Sequence, residues 1–446
     1  MNAEDATKKH RRPLLILGGL VLLMLGVLAY MLLFHDGPPP DDAHLMPTWS
    51  ERGGNANPLA VFCRTLQASS IKHWEKLPYE LRDLDEKSTP EARKFVAAHS
   101  SEIEAFESLM LTDPGTWQWP DAADMAIYKT PYSDGGASEC RTLSVVLRSK
   151  ALQLSEDGKA EEAIALCLKM ARWGDGVYGA EGNTLHLLDS GSIHYGALHT
   201  FGKVLQAGGP TPAMLRDASL QLRTLKGPET EQYKRALKVN YARMKDFTGK
   251  LSSKDLQYIG NLPRALRFLA PRYFKRNQTL TTRVQLDAPL ISALDQGWTS
   301  ACSALDAREA KVAAMYAPKT LACLMDPNFI GKSSLFYEMG LPKTRQLWSR
   351  RDALTLQLAL RLHELERGHL PATLDALVPT YLPAVPVDVI TGTPFLWNAK
   401  LQALYTVGKN GKDDGGRIDE ERIERGLDWG VKYLWNPASN SQPAAP

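Results

Sequence analysis

An uncharged apolar run lies close to the start of the chain. Residues 13–34 read PLLILGGLVLLMLGVLAYMLLF. About 20 apolar residues span the hydrocarbon core of a bilayer, whereas the apolar part of a signal peptide is about 7–15 residues long and precedes an A-x-A-like cleavage site. No such site follows here. We therefore predict an uncleaved transmembrane helix over residues 13–34.

The charges on either side of this run predict its orientation. Basic residues dominate residues 1–12, and acidic residues follow the run at Asp36, Asp41 and Asp42. Positive charge favours the cytoplasmic side. We predict a basic cytoplasmic tail at 1–12 and a single-pass protein of the inner membrane. Most of the chain would then be periplasmic. Residues 35–57, rich in Pro, Gly and Asp, are predicted to be a linker.

Helical periodicity dominates the next 300 residues. Apolar positions recur at helical spacing near 59–66, 90–111, 141–173, 184–205, 212–225, 228–247 and 289–317. Thr89-Pro90 and Thr211-Pro212 each offer a capping residue followed by Pro at the first helical turn, and Pro289 is expected in the same role. We predict a mainly α-helical extracytoplasmic domain over residues 58–349.

Composition narrows the classes of function. Hydrophobic residues make up 44% of the chain and charged residues 23%, as in ordinary globular proteins. A net charge of +3 is too small to indicate a nucleic-acid partner. The five cysteines are scattered, which argues against zinc; Cys302 and Cys323 could pair, or all could be buried thiols. With no G-x-S-x-G or H-E-x-x-H motif, we predict a non-enzymatic protein.

Two features of the helical region are candidate binding sites. Trp117 and Trp119 could cradle a ligand or could pack onto the core from a loop. Between Leu262 and Arg283, basic and aromatic residues alternate, which fits an anionic partner or membrane surface. Alternatively, the aromatics are core and the basic residues its rim. The basic candidates for partner binding are Arg264, Arg267, Arg272, Lys275 and Arg276.

The C-terminal region has a different pattern. Asp352 is predicted to cap a helix that ends near Arg367, with Gly368 as its left-handed terminator. A short apolar turn follows, closed by Pro379. Apolar runs at 394–397 and 403–407 predict two strands. We expect a small α+β module over residues 350–425, in which one helix lies on a small antiparallel sheet, and a tail over residues 426–446.

A loop rich in glycine and acidic residues follows the second predicted strand. Calcium takes six to eight oxygen ligands from carboxylates and backbone carbonyls. Residues 408–421 could supply them, although the EF-hand order is absent; the alternative is a solvated acidic turn. The candidate calcium ligands are Asn410, Asp413, Asp414 and Asp419.

The order of motifs in this module resembles the globular half of type II secretion major pseudopilins. The motifs are G-x-L-P-x-T-L-D-A-L-V-P-x-Y-L-P-x-V-P-x-D, P-F-L-W and L-Y-T-V-G-x-N-G-x-D-D-G-G. The resemblance implies a helix leading into a small sheet and a calcium-binding loop over Gly408–Asp419, with Asp413 and Asp419 as the best side-chain ligands. The chain lacks a Gly-Phe cleavage point and a Glu in its apolar run, so we do not expect a filament subunit.

The whole layout also resembles uncharacterised anchored membrane proteins of planctomycete- and verrucomicrobia-like bacteria. From these features we expect a membrane-anchored protein with a non-catalytic interaction or assembly role. Its protein partners would belong to type II secretion or pilus-like machinery, and calcium would be its one cofactor. The alternatives are an extracytoplasmic ligand-binding sensor or an enzyme with an unrecognised site in the helical domain.

Overall fold

The computed structural model describes most of the region after the apolar run. The described residues are 19–26, 36–48, 58–72, 89–110, 117, 119, 137–180, 182–226, 229–252, 275–316, 340–389, 391–408, 411–418 and 428–435. The chain divides into two compact units. The first unit contains Met1–Met46, Tyr241–Pro289 and Ala307–Phe336, and the second contains Pro47–Asn240, Leu290–Asp306 and Tyr337–Pro446.

The described part of the chain is mainly helical, as predicted, with one small sheet. The α-helices, numbered in chain order, are α1 Pro58–Ala68, α2 Pro90–Ala98, α3 Ser100–Leu109, α4 Ala137–Glu156, α5 Ala160–Gly179, α6 Thr184–Gly208, α7 Pro212–Thr224, α8 Thr230–Lys250, α9 Arg276–Asp295, α10 Trp298–Tyr316 and α11 Gly340–Arg367. A further helical segment covers residues 19–26.

Local capping explains where several helices begin and end. The Thr89 side chain accepts a hydrogen bond from the Ala92 backbone N–H at the start of α2. Thr211 does the same for Met214 at the start of α7. Both caps precede a proline at the first turn, which confirms the predicted start signals. Gly368 has φ +77° directly after α11, as predicted for its terminator.

The core of the second unit is a layer of packed helices. α4, α5 and α6 pack on one another, and α11 packs against α6 and α7. This core buries Trp173, Phe201 and Trp348 almost completely, together with leucines from every one of these helices. The helical periodicity over 141–173 therefore corresponds to two helices, α4 and α5. Both helices are longer than predicted, because their buried faces extend to Ala137 and Tyr178.

A three-stranded antiparallel sheet follows α11, in the order β1 Leu396–Asn398, β2 Ala403–Thr406 and β3 Trp429–Lys432. In β2 and β3, Leu404 pairs with Val431 and Tyr405 with Gly430. Two strands were predicted and β3 was missed, although it lies in the expected tail. A second core forms between this sheet and α11.

The two faces of α11 belong to two different cores. Leu354, Leu358 and Leu362 are buried in the helical core. Leu356 and Leu360, on the other face, are buried against the sheet. The boundary expected between residues 349 and 350 falls inside this helix, which begins at Gly340. The C-terminal module is therefore joined to the helical core along a shared helix rather than through a linker.

Three local predictions are corrected by the structure. Asp352 does not cap α11 but lies inside it, where it is 7% exposed and pairs with Arg351 at 2.7 Å. Pro289 lies inside α9 instead of starting a helix. The helix ends before Gln296–Gly297, and Gly297 has φ +108°. The single helix predicted over 90–111 is two helices divided at His99.

Part of the predicted linker is held in the first unit. The Asp36 carboxylate accepts hydrogen bonds from the backbone N–H groups of Asn277 and Gln278 at 2.9 and 3.1 Å, which caps the start of α9. Asp42 accepts from the Tyr241 hydroxyl at 2.6 Å and pairs with Lys245 at 2.7 Å. These contacts fix residues 36–48 against α8 and α9.

Within the described residues, no helix is both long and apolar enough to cross a membrane. Of the predicted span at 13–34, only residues 19–26 are described, and they are helical. The remainder of that span lies outside the described residues.

Candidate functional site

Residues 411–418, the described middle part of the glycine-rich connection between β2 and β3, make tight turns. Gly411, Gly415 and Gly416 all have positive φ, at +67°, +77° and +76°. A Cβ at Gly416 would also make a close contact with the Tyr405 ring, at 3.0 Å. The glycines therefore allow this loop to close onto β2.

Asp428, directly before β3, holds the loop closed from beneath. Its Oδ2 atom accepts hydrogen bonds from the backbone N–H groups of Asp414 at 3.0 Å and Gly416 at 2.9 Å. The residue is 1% exposed, and among the described residues its Oδ1 atom is buried without a hydrogen-bond donor. A buried carboxylate oxygen that lacks a donor is costly unless a proton or a cation compensates it.

Burial, together with neighbouring charges, makes this carboxylate harder to ionise. Burial raises the pKa of Asp428, the two backbone donors lower it, and the charges of Asp413 and Asp414 raise it again, so that it lies above its ordinary value. Burial also raises the pKa of Tyr405 to about 12, with a further contribution from the charge of Asp413 and a hydrogen bond to it. The loop therefore concentrates negative charge that a cation would relieve.

The structure places the predicted calcium ligands only in part. Asp413 and Asp414 lie on this loop, where Asp413 Oδ1 accepts from the Gly415 backbone N–H at 2.8 Å. Asn410 and Asp419 lie outside the described residues. Across the part of the chain that the structure describes, no group of three or more His, Cys, Asp and Glu side chains is placed to hold a metal ion.

Asp428 is the residue that the sequence reasoning missed. The signal that could have found it is the alternation of Trp429, Val431 and Tyr433, which is typical of a strand. A strand at that position would have directed attention to the acidic residue immediately before it.

The basic candidates are placed only at the end of their stretch. Arg264, Arg267 and Arg272 lie outside the described residues. Lys275 is 4% exposed, and the Arg276 guanidinium donates to the Lys245 carbonyl oxygen at 3.3 Å. At the start of α9, Lys275 is therefore buried and Arg276 is half-buried.

The two tryptophans of the predicted cradle have different surroundings. Trp119 is buried and stacks on His186, with ring centroids 4.5 Å apart and an angle of 6° between the planes. Trp117 is also buried, but it lines a cleft of about 760 Å³ between α5 and α7. Both tryptophans therefore belong to the helical core, and Trp117 also lines the cleft.

The walls of this cleft are mostly apolar and its rim is charged. The apolar lining includes Met110, Trp117, Ile164, Leu168, Met214 and Leu225. The charged lining residues are Glu161, Lys169, Arg172, Asp175, Asp217 and Lys226. Clefts of roughly 300–1,000 Å³ with this combination of apolar walls and few polar groups are typical of sites for small molecules.

Asp175 is the half-buried carboxylate of the cleft. Its Oδ2 atom accepts a hydrogen bond from the Lys226 backbone N–H at 3.0 Å. Burial raises the pKa of Asp175 to about 6, against the lowering effect of that hydrogen bond and of the nearby Arg351 charge. It therefore titrates closer to neutral pH than an ordinary aspartate.

Comparison of the chain with family models, with curated proteins and with solved structures finds no match.

Proposed function

We propose that this chain is a single-pass inner-membrane protein whose periplasmic part has an interaction or assembly role in type II secretion or pilus-like machinery. The observation that carries the proposal is the arrangement of the C-terminal module. A long helix, α11, packs against a small antiparallel sheet, and a glycine-rich acidic loop precedes its last strand. The resemblance to major pseudopilins implies this order of elements, and it makes protein partners of that class the first to test.

The helical segment at residues 19–26 supports the membrane anchor. Six consecutive large apolar side chains, Leu20 to Leu25, are 49–72% exposed. An apolar surface of this kind on all sides of a helix is unfavourable in water and is compatible with lipid. In the sequence, the uncharged run over residues 13–34 that contains this segment is long enough for a membrane span.

Topology is tested by protease treatment of spheroplasts that carry the full chain with a C-terminal epitope. We expect the epitope to be digested from outside while the intact chain sediments with membranes. A matched variant with Leu22→Arg and Leu23→Arg should lose membrane association. Protection of the epitope in intact spheroplasts would reverse the proposed orientation.

The assembly role is tested by crosslinking in intact cells, followed by purification of the full chain under denaturing conditions. We expect components of a secretion or pilus-like system among the crosslinked proteins. Their absence, in cells that express such a system, would contradict this specific role and leave the topology unaffected.

Calcium binding at the β2–β3 loop is part of the proposal. The Asp428 Oδ1 atom, which has no donor among the described residues, supports it, since an ion there would compensate a buried carboxylate. Asp413 and Asp414 would contribute further oxygens, together with Asn410 and Asp419. When the free ion concentration is 100 times the Kd, binding stabilises the folded state by about 2.7 kcal/mol.

The measurement is the melting temperature of the full chain in amphipol, with calcium or with chelator. We expect calcium to raise it and Asp428→Asn to remove the effect. Asp375→Asn is the matched control, because Asp375 is exposed on the short turn before the sheet. An unchanged melting temperature in millimolar calcium would refute the metal site.

A second function, binding of a small ligand, is favoured by the cleft between α5 and α7. Its size, its apolar walls and the half-buried carboxylate of Asp175 are the observations that support it. This role agrees with the alternative of a periplasmic sensor, and it is independent of the secretion partners.

A further inference from the structure

We propose that the cleft between α5 and α7 binds a small organic cation, an amine with an apolar or aromatic body, whose ammonium group pairs with Asp175. The inference rests on ligand binding at this cleft, the second function proposed above. It adds the chemical class of the ligand and the residue that recognises it.

The apolar part of the ligand would lie against the wall formed by α5 and Trp117. Ile164, Leu168 and Trp117 are 6%, 3% and 3% exposed, so only small parts of these side chains face the cleft. Met110 and Met214 complete the wall. Methionine adapts its shape to different ligands, and aromatic rings attract cations, so this wall suits an amine with a hydrocarbon or aromatic body.

Asp175 supplies the polar contact. One of its oxygens, Oδ2, accepts the Lys226 backbone N–H, and within the described residues the other oxygen, Oδ1, has no donor. The carboxylate lines the cleft, so a ligand donor can reach it from the open side. A partly desolvated carboxylate with an available oxygen forms its strongest hydrogen bonds with a charged donor such as an ammonium group.

The cations at the rim are engaged with other groups or exposed. Arg172 donates to the Gln221 side-chain oxygen at 2.6 Å, and Lys169 lies 3.8 Å from Glu107. The Lys226 side chain is exposed. Asp175 consequently keeps an oxygen for a ligand, whereas an anionic ligand would have to displace these contacts and would meet the Asp175 charge.

The charges that act on Asp175 come from several elements. Burial raises its pKa, the Lys226 backbone donor and the charges of Arg351 and Lys226 lower it, and Glu229 raises it, with a net value of about 6. Asp175 is therefore ionised at about pH 8 and largely protonated at about pH 5. Amine binding should weaken about tenfold between these two pH values, because roughly a tenth of the carboxyl groups stay ionised at the lower pH.

Three probes that share a phenyl ring but differ in charge test the ligand class: benzylammonium, benzyl alcohol and benzoate. Each is titrated by calorimetry into the full chain in amphipol at about pH 8. We expect benzylammonium to bind most tightly. Asp175→Asn should weaken benzylammonium about tenfold or more, since a hydrogen bond to a charged group is lost, and should leave benzyl alcohol unchanged.

Two further variants keep the test independent of folding. Glu162→Gln changes an exposed carboxylate on α5 that pairs with Lys159 at 3.7 Å and does not line the cleft, and it should leave all affinities within about twofold. Ala165→Phe fills the cleft from an exposed position on α5 and should abolish binding of every probe. The melting temperature of each variant confirms that it is folded.

The outcomes distinguish the assignment of an amine ligand from ligand binding at the cleft as such. If benzylammonium binds no more tightly than benzyl alcohol, or if Asp175→Asn has no effect, the amine assignment is overturned while ligand binding stands. If no probe binds the wild-type chain, both are overturned.

Discussion

Replacing Asp287 by Asn should destabilise α9 by about 3–5 kcal/mol, the usual cost of removing one partner from a buried ion pair. Asp287 is fully buried, and the two arginines that flank it, Arg283 and Arg308, are 2% and 5% exposed. Its Oδ2 atom accepts from Arg283 Nε, one turn earlier on α9. Its Oδ1 atom accepts from Arg308 at 3.0 and 3.3 Å. Asparagine would keep the shape but would leave two buried cations beside a neutral amide.

Hydrogen exchange of the full chain measures this change locally. Each 1.4 kcal/mol is a factor of ten, so amides of α9 should exchange about a hundredfold to several thousandfold faster in the variant. Asp246→Asn on α8 is the control, because Asp246 pairs with the exposed Lys250 at 2.7 Å. An exposed pair contributes less than about 1 kcal/mol, so the exchange rate in the control variant should change by no more than about fivefold. Exchange of α9 within about fivefold of the wild type in Asp287→Asn would refute the reasoning.

Three other substitutions have defined outcomes. Burial lowers the pKa of His194 to about 3, below the ordinary 6.5, so the unfolded state gains the proton first as pH falls. Stability should drop by about 1.4 kcal/mol per pH unit below 6.5, and urea midpoints for His194→Leu should lack this slope. At Gly430 a Cβ would lie 2.2 Å from a backbone oxygen of β2, so Gly430→Ala should expose the C-terminal module to protease; unchanged digestion would contradict this. Burial opposes ionisation of Asp42, but hydrogen bonds from Lys245 and Tyr241 outweigh it and lower its pKa below 3.8. The stability that Asp42 contributes should be lost as pH falls through this lowered pKa. In that acid range the stability of Asp42→Asn should therefore fall less steeply with pH than that of the wild type.

The helices could be predicted because their signals are local. Thr89, Thr211 and Gly368 each act within one turn of their own position. Buried faces at helical spacing then determine which segments pack. These two kinds of information lie in short windows of sequence, and they were sufficient for the mainly helical class of the fold.

The errors arise where packing outweighs a local signal. Asp352 is a residue type that often caps helices. However, Leu347 and Trp348 before it are 1% and 0% exposed in the helical core, so the helix begins before Asp352. Pro289 is a residue type that often starts helices, but Leu286 and Leu290 on either side of it are 3% and 1% exposed. Burial of these flanking side chains compensates the backbone hydrogen bond that proline cannot donate.

The candidate site shows the same division between local and distant information. The glycines and carboxylates of the loop are visible in composition, so Asp413 and Asp414 could be named. Asp428 reaches them only because β3 pairs with β2 in a register that places Trp429 opposite Thr406. That register follows from the side chains buried against α11. Asp428 was therefore not accessible from any single stretch of sequence.

The shared helix also determines how the calcium proposal has to be tested. A fragment that begins at Arg350 would retain the face of α11 that packs on the sheet. It would also expose Leu354, Leu358 and Leu362, which the full chain buries in the helical core. Exposing three leucines costs roughly 1.5–3 kcal/mol each, which is comparable to or larger than the stabilisation expected from one bound ion. An isolated fragment could thus fail to fold whether or not calcium binds. Both faces of α11 are covered only in the full chain. A change in its melting temperature can therefore be attributed to the ion and not to loss of the helical core.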